Sequence, residues 1–464
     1  MNLILIVADT FRRDYLPCYG SQDVHAPHLT ALAERSSVLD RYYAASFPTM
    51  PCRADLMLGQ WTFPTLRWEP LPRQATPLAR ILLDAGYTTV GVVDTPFYVD
   101  GGFGYDRGFK HFYEERTQAT QRLLIPVLRA TEYDYCAPRT FVRAEQALER
   151  LYHRPFFMLI DSFDPHEPWN PPARYVRRYL PEWDGRVVNP VYGYYKEQGV
   201  TEADLEMARA CYKAEITMVD RWIGRLLERL ESLRIAEQTA VLFTTDHGFY
   251  FGEFGIFGKT VRPANPGKGD PPGWARSPLY EPDVHIPLIA HVPGAPVQRL
   301  QELISAVDVM PTILDLLGVA APDGTVIHGR SFAPLLRGEC STVAKANGAA
   351  RASGTDEAGT GREFVVSAMP LVNPGEMIGI VDGLMRRVID FQPATITSRD
   401  GWSLLYAAQG QPLELYYLPD DPGQQRNVAS EQPDVVSRLH AQYVQLLEQT
   451  GAAPEILAPR RAVS

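Results

Sequence analysis

Cysteine, basic blocks and long apolar runs are scarce in this sequence. Its five cysteines lack metal-type pairs, which argues against a disulfide framework and predicts reduced thiols in a cytoplasmic protein. The formal net charge is −10 and no Lys/Arg-rich block occurs, which excludes nucleic acid as the main partner. No apolar run is long enough to cross a bilayer, so no membrane partner is expected. The opening run lacks a basic segment and a cleavage site, and it is interpreted as a first β-strand rather than a signal peptide.

What is present is typical of a globular α/β protein. The chain has 464 residues, 45% of them hydrophobic and 22% charged, enough for one large domain and a smaller one. Short aliphatic runs alternate with longer amphipathic stretches, which predicts a doubly wound, largely parallel sheet flanked by helices. Strands are predicted at 3–8, 88–93, 156–160, 239–244 and 287–292, and helices at 28–36, 75–85, 139–152, 202–231 and 305–317.

The last third of the chain has a different pattern. Residues 339–361 are rich in Gly, Ala, Ser and Thr and are predicted to be a linker or an exposed loop. Short strand-like runs follow at 364–369, 377–381, 384–391 and 413–418, and then a helix at 433–449. The sequence thus predicts a catalytic-type α/β domain at 1–338 and a small antiparallel α+β subdomain at 362–464.

Residues 46–59 are the most informative stretch. Pro48 and Pro51 should keep Thr49 and Met50 out of the helical region, and the run that follows should form a helix ended by a glycine. Thr49 would then lie just before a helix N-terminus, where free N–H groups and Arg53 favour a tetrahedral oxyanion. The alternative is a threonine that caps a surface helix whose arginine is solvated.

Acidic and imidazole side chains follow three of the predicted strands. In a doubly wound sheet these side chains would converge at the carboxyl edge, where such folds bind ligands. Taken alone, an Asp after a strand is usually a helix cap or a turn residue, and it is the arrival of three such sets at one edge that points to a ligand site. The residues are Asp9 and Thr10 after the first strand, Asp161, Asp164 and His166 after the third, and Asp246 and His247 after the fourth.

Three of these residues form a candidate metal site with the threonine. Asp9, Asp246 and His247 offer two carboxylates and an imidazole, and Thr49 can add an alkoxide. This mixed set suits one Zn²⁺ or Mn²⁺ ion, with Mg²⁺ or Ca²⁺ also compatible. The ion would lower the pKa of the Thr49 hydroxyl and offset negative charge on the substrate.

Several motifs in order resemble the sulfatase branch of the alkaline phosphatase superfamily. This resemblance runs the whole length of the chain and implies an alkaline phosphatase-like fold. The motifs are DTFRRDYLPCYG (9–20), TMPCR (49–53), DPHEPW (164–169), DHGFYFGEFGIFGK (246–259), SAVDVMPTILDLLG (305–318), HGRSFAPLL (328–336) and ELYYLPDDPG (414–423).

The sequence departs from that family at the positions that matter for chemistry. Family sulfatases carry a Cys or Ser that is oxidised to formylglycine, and here that position is Thr49, which cannot give the aldehyde. Cys52 does not restore the motif, because no proline follows it at the required place. Thr10 stands where a second metal-binding Asp is expected, and His247 replaces an Asn. The family also has a Lys-x-His motif in the segment that begins here with Asp94, and this sequence lacks it.

These departures favour phosphorus over sulfur chemistry. The ligands resemble those of phosphonate monoester hydrolases and phosphodiesterases, so we expect a small anionic ester as the substrate. Thr49 would attack in line and form a phosphothreonine. Arg53 and Lys259 would stabilise the equatorial charge, and His166 would protonate the leaving oxygen.

Three other functions stay open at the level of sequence. The protein could be a sulfuric ester hydrolase, a two-metal phosphatase or an inactive ligand-binding homologue. A second ion would be held by Asp161 or Asp164 together with His166 and His285. His166 could instead be a loop histidine packed on Trp169, and a homo-oligomer is compatible with the sequence.

Two further expectations concern the surroundings of the pocket. Arg12 matches a family position, but a surface ion pair with Asp14 explains it equally well. Long aromatic loops are expected to line the pocket, with Tyr98, Tyr105, Trp169, Tyr192, Trp274 and Tyr280 as candidate wall residues.

Overall fold

The computed structural model describes most of the chain: residues 1–96, 98, 102–115, 131–261, 276–339, 361–372, 389–408 and 412–462. Several sequence predictions fall outside these ranges. They are nearly all of the predicted linker, the predicted strand at 377–381, most of the one at 384–391, and the residues Trp274 and Cys340.

The described strands form three sheets. They are β1 Asn2–Ala8, β2 Ser37–Tyr43, β3 Thr88–Val93, β4 His111–Glu114, β5 Phe156–Ser162, β6 Gly193–Tyr194, β7 Thr239–Thr244, β8 Tyr250–Phe251, β9 Ile256–Gly258, β10 Leu288–His291, β11 Gln298–Ser305, β12 Phe364–Ala368, β13 Ala394–Ser398, β14 Trp402–Tyr406 and β15 Glu414–Tyr417.

The described α-helices flank these sheets and connect them. They are α1 Pro27–Ala33, α2 Thr49–Leu58, α3 Leu78–Asp84, α4 Cys136–Leu151, α5 Ala173–Val176, α6 Glu202–Ser232, α7 Glu281–Val284, α8 Val309–Leu317, α9 Ala333–Leu336, α10 Pro433–Gln449 and α11 Pro454–Leu457.

The central sheet has eight strands in the order β11-β2-β10-β7-β1-β5-β3-β4. Its neighbouring strands are parallel except at β10, which runs antiparallel to both β7 and β2. The predicted largely parallel, doubly wound sheet is therefore confirmed. The sequence analysis did not predict β2 and β11, which form one edge of this sheet.

The central strand explains why helices cover both faces of the sheet. Successive side chains of a strand point to opposite faces, and every residue of β1 after its first is completely buried. Its side chains are divided between two apolar cores, Leu3, Leu5 and Val7 in one and Ile4, Ile6 and Ala8 in the other.

The long helix α6 packs along the second of these cores. Thr201 caps it by accepting a hydrogen bond from the backbone N–H of Asp204. Met218 and Trp222 are buried in the core, as the sequence predicts, and take no part in the site described below.

The C-terminal part is built on a four-stranded antiparallel sheet, β12-β13-β14-β15, with α10 packed against it. The predicted elements at 364–369, 413–418 and 433–449 are present as β12, β15 and α10, whereas β13 and β14 were not predicted. The proposed division into domains stays a prediction, because one apolar core contains residues of both parts.

One strand of this part reaches the first domain directly. The backbone N–H of Ala368, at the end of β12, donates to the carbonyl of Ala45 over 2.9 Å. The N–H of Phe47 donates to the carbonyl of Ala368 over the same distance. The C-terminal sheet therefore fixes the backbone that leads into α2.

Substitution of two glycines, Gly86 and Gly108, tests how closely α3 packs against the segment before β4. Gly86 and Gly108 have φ of 91° and 89°, but a Cβ on Gly108 would meet the backbone of Arg80 in α3 at 2.2 Å, whereas one on Gly86 meets nothing within 4 Å. We expect Gly86→Ala to cost about 1–2 kcal/mol for its left-handed backbone. Gly108→Ala should cost about 1–3 kcal/mol more, because α3 must move. Urea unfolding of both variants measures the difference, and equal costs would contradict the described packing.

Candidate active site

The candidate site lies at the carboxyl ends of three adjacent strands. β5 and β7 flank β1 on its two sides and run parallel to it. Asp9 follows β1 and Asp246 follows β7 by two residues. Asp161 lies inside β5 rather than after it, opposite Val7. Of the carboxylates that the sequence assigned to one sheet edge, Asp9, Asp161 and Asp246 lie together there, around Arg53.

Asp9, Asp246 and His247 form the candidate metal centre. Each offers a ligand atom within 4.8 Å of the others, and all three side chains are completely buried. His247 Nε2 makes no hydrogen bond, whereas Asp9 Oδ2 lies 3.1 Å from Nη2 of Arg53. Buried polar atoms without a hydrogen-bond partner are rare, so His247 Nε2 points to a bound group.

The orientation of His247 fits this interpretation. Its Nδ1 lies 2.9 Å from the carbonyl oxygen of Gly248, which can only accept, so Nδ1 carries the hydrogen and Nε2 keeps a lone pair. Burial lowers the pKa of His247 to about 3, so the ring is neutral at physiological pH. A neutral imidazole and two carboxylates are a suitable donor set for a divalent cation.

Thr49 is the first residue of α2, not a residue before it. The sequence analysis expected Pro51 to exclude Met50 from the helix. Pro51 instead lies in the first turn of α2, where a backbone N–H would have no acceptor within the helix, so a proline is tolerated there. The thiol of Cys52 donates to the carbonyl of Asp246 over 3.3 Å. The first turn of α2 is thereby held against the acidic cluster, while Thr49 as a metal ligand stays a prediction.

Arg53 is completely buried between three carboxylates. Its Nε and Nη2 donate to the two oxygens of Asp161 over 3.0 and 2.7 Å, and Nη2 lies 3.1 Å from Asp9 Oδ2. Its Nη1 contacts Asp246 Oδ2 and donates to the carbonyl of Thr49 over 3.2 Å. The guanidinium is therefore occupied by protein oxygens, so direct contact with a substrate oxyanion would require it to exchange one of them.

Lys259 and His166 form a hydrogen-bonded pair. The Nζ of Lys259 lies 2.8 Å from His166 Nε2, and His166 Nδ1 lies 2.8 Å from the carbonyl of Glu167. Burial and the charge of Lys259 hold the pKa of His166 well below its usual value. His166 is thus a neutral ring, and its Nε2 accepts a hydrogen bond from Nζ of Lys259. The ring stacks on Phe163 and not on Trp169, which was the alternative interpretation.

The residues proposed for a second ion do not come together. His285 binds Glu281 and the carbonyl of Asp40. Asp164 accepts from the N–H of Ala137 at the start of α4, and Asp161 is paired with Arg53. Within the part of the chain that the structure describes, Asp9, Asp246 and His247 are the one such group.

Arg12 and most of the predicted wall aromatics have structural roles. Arg12 does pair with Asp14, but it is buried and also pairs with Glu253, so this is not a surface ion pair. Trp169 is completely buried, and Tyr98, Tyr105 and Tyr280 are buried in aromatic packing.

A cavity of about 610 Å³ opens beside His166. Of the predicted wall residues, Tyr192 lines it. The other described lining residues are mostly apolar or uncharged, namely Pro96, Phe163, Glu167, Pro168, Asn170, Val187, Asn189 and Pro190.

Sequence reasoning missed two buried groups around the carboxylates. The hydroxyl of Thr95 donates to Asp161 Oδ1 over 2.9 Å, at the segment already noted for its missing Lys-x-His motif. The hydroxyl of Tyr212, in α6, donates to the carbonyl of Thr10 over 2.7 Å. No signal in the sequence marks Tyr212, because its partner is more than two hundred residues away.

Comparison with known proteins gives a family. A sequence model described as Sulfatase matches residues 1–319. The chain belongs to the sulfatase family. The fold of this sulfatase-family chain is the one that the sequence resemblance implied.

Individual relatives carry both sulfur and phosphorus names. The chain is 26% identical to N-acetylglucosamine-6-sulfatase of Capra hircus over 66% of this chain and 54% of that protein. It is 24% identical to choline-sulfatase of Rhizobium meliloti over 73% and 72%. The structure of the phosphonate monoester hydrolase of Agrobacterium radiobacter matches with a TM-score of 0.72 at 20% identity, over 97% of this chain and 96% of that one. The chain spans about half the length of the N-acetylglucosamine-6-sulfatases it matches.

Among the helices described here, none has the length and apolarity of a bilayer-spanning segment.

Chelation tests the candidate metal centre of this sulfatase-family chain. A cation present at about 100 times its dissociation constant stabilises a protein by about 2.7 kcal/mol. We therefore expect EDTA to lower the melting temperature and abolish ester hydrolysis, and Mn²⁺ or Zn²⁺ to restore both.

His247→Ala should lose this metal-dependent shift in melting temperature. The matched control is His285→Ala, which also removes a histidine beside a carboxylate, and it should keep the shift. A shift retained in His247→Ala would contradict the assignment.

Proposed function

We propose that this protein hydrolyses phosphodiesters or phosphonate monoesters with Thr49 as the nucleophile. The observation that carries the proposal is the position of Thr49 at the start of α2, whose first turn contacts the acidic cluster through Cys52 and Arg53. A small anionic ester as the partner and a cytoplasmic location belong to the same proposal.

The identity of the nucleophile supports phosphorus as the reacting atom. The Cβ of threonine carries a methyl group, so its oxidation cannot give the formylglycine aldehyde on which sulfate hydrolysis depends in family members that use it. A threonine alkoxide can instead attack phosphorus and form a phosphate ester. The similarity to structures named phosphonate monoester hydrolases, with TM-scores of 0.72 and 0.73, is consistent with this choice.

Asp9, Asp246 and His247, together with Thr49, would hold one divalent cation. When bound, the cation lowers the pKa of the Thr49 hydroxyl and offsets charge on a non-bridging substrate oxygen. The mixed carboxylate and imidazole donors favour Zn²⁺ or Mn²⁺ over Mg²⁺ or Ca²⁺.

In the first step the deprotonated oxygen of Thr49 attacks phosphorus in line. A bond from Thr49 to phosphorus forms, and the bond from phosphorus to the ester oxygen breaks. Lys259 gives a proton to that leaving oxygen, which departs as an alcohol. His166 orients Lys259 through its Nε2 and supplies no proton itself, since burial keeps the ring neutral.

In the second step water attacks the phosphothreonine. The neutral amine left on Lys259 takes a proton from this water, and the oxygen of Thr49 leaves phosphorus. Lys259 is then charged again and Thr49 is ready for the next ester. Arg53 keeps the carboxylates of Asp9, Asp161 and Asp246 in place during both steps.

The cavity beside His166 is the site we assign to the organic half of the ester. It opens on the same side as the proton donor, because His166 both lines it and contacts Lys259. Its volume of about 610 Å³ accommodates a compact alcohol.

Substitution of Thr49 tests the nucleophile. Thr49→Val keeps the shape and removes the hydroxyl, and we expect a loss of at least about 10³-fold in kcat. Thr49→Ser keeps the hydroxyl and should retain measurable turnover. Mass spectrometry of the wild-type protein after a substrate pulse should find phosphate on Thr49, which an inactive binding homologue would never show. Full activity of Thr49→Val would refute the mechanism.

A sulfuric ester hydrolase is the second candidate, favoured by the names of the sequence relatives. Parallel assays with matched aryl esters separate the two, using a phosphodiester, a phosphonate monoester and a sulfate. We expect the larger kcat/KM for one of the phosphorus esters. A sulfate that is the best substrate would replace our proposal with this one.

The role of Lys259 predicts a dependence on the leaving group. General acid catalysis contributes about 10²–10⁴-fold, and it matters least when the leaving oxygen is already a weak base. Lys259→Met should therefore slow the ester of an alkyl alcohol far more than the ester of 4-nitrophenol. The control Lys213→Met removes a lysine of α6 that pairs with Asp23, and it should slow the hydrolysis of neither ester. An equal loss for both esters would argue against proton donation.

A further inference from the structure

Thr10 has an unusual backbone for its residue type. It lies directly after Asp9 with a φ of 61°, in the left-handed region, and is completely buried. Among the described non-glycine residues with positive φ, it is the one with a β-branched side chain. A β-branched residue in this region is strained, and such strain persists only where the surrounding structure enforces it.

Four hydrogen bonds enforce the conformation. The hydroxyl of Tyr212 donates to the carbonyl of Thr10 and accepts from the N–H of Arg12, both over 2.7 Å. The N–H of Phe11 donates to the hydroxyl of Thr245 over 2.9 Å, and the N–H of Asp9 donates to the carbonyl of Ser162 over 2.8 Å. The backbone on both sides of Thr10 is therefore fixed to β5, α6 and the segment after β7.

Held in this way, Thr10 binds both candidate carboxylate ligands at once. Its hydroxyl donates to Asp9 Oδ1 over 2.7 Å, and its backbone N–H donates to Asp246 Oδ1 over 3.0 Å. One oxygen of each carboxylate is thereby occupied. The remaining Oδ2 atoms both contact the guanidinium of Arg53, so they converge on the same side.

We propose that Thr10 is a positioning residue for the cation: it presents Asp9 Oδ2 and Asp246 Oδ2 together and does not itself coordinate the ion. Tyr212 acts one step further out by holding Thr10. This inference rests on the metal centre of the proposed function but not on whether the ester contains phosphorus or sulfur. Partners that orient metal ligands in this way typically change metal affinity by about 10–100-fold.

The test is the Mn²⁺ dissociation constant of the full-length protein, measured by calorimetry after EDTA treatment and dialysis. Thr10→Val keeps the β-branched shape and loses the hydroxyl, and it should weaken Mn²⁺ binding by about 10–100-fold. Thr10→Ser keeps the hydroxyl and should stay closer to the parent than to Thr10→Val. Tyr212→Phe, which touches neither carboxylate, should also weaken binding.

Thr140→Val is the matched control. It removes an equally buried hydroxyl from an equally buried carboxylate, Asp94, which is not assigned to the ion. We expect its Mn²⁺ dissociation constant to match that of the parent.

Three results would overturn the proposal. One is Mn²⁺ binding by Thr10→Val as tight as that of the parent, and another is binding by Thr10→Ser as weak as that of Thr10→Val. If Thr10→Val does not fold, unchanged binding by Tyr212→Phe is the third. A parent protein that binds neither Mn²⁺ nor Zn²⁺ would remove the metal centre itself, a failure distinguishable from these because it appears before any substitution.

Discussion

The contact of one guanidinium with three buried carboxylates is the interaction on which this site depends. Asp9, Asp161 and Asp246 lie at the ends of adjacent strands, and because all three are completely buried their mutual repulsion would be severe without a counter-charge. Arg53 supplies that charge because α2 starts at the same edge and places its fifth residue among them. Removing it would leave three uncompensated buried charges, a far larger perturbation than the loss of a surface ion pair.

This arrangement divides the carboxylates by role. Asp161 gives both oxygens to Arg53 and receives the hydroxyl of Thr95, so it serves as a structural counter-ion. Asp9 and Asp246 each contact the guanidinium through Oδ2. Both also offer an oxygen within 4.8 Å of a ring nitrogen of His247. Lys259 is held by a hydrogen bond to the ring of His166.

Much of the fold was readable from the sequence because buried parallel strands are continuous aliphatic runs, as in 3–8 and 239–244. β2 and β13 were missed because SVLDRYY and ATITS contain polar residues, which are buried in β13 but half-buried in the case of Asp40 and Arg41 in β2. At the site, residue types and strand ends indicated Asp9, Asp246 and His247. The sequence could not predict the left-handed backbone of Thr10, the hydrogen bonds of Tyr212 to the backbone on either side of it, or the pairing of Arg53 with three carboxylates. Each of these depends on contacts between distant parts of the chain.

The hydrogen bonds between β12 and the segment before α2 have a consequence for biosynthesis. Ala45 and Phe47 are translated more than three hundred residues before Ala368, their backbone partner. The segment that carries Thr49 therefore emerges from the ribosome long before the strand that fixes it. The central sheet can form during synthesis, but the segment before Thr49 lacks these two backbone hydrogen bonds until Ala368 has been made.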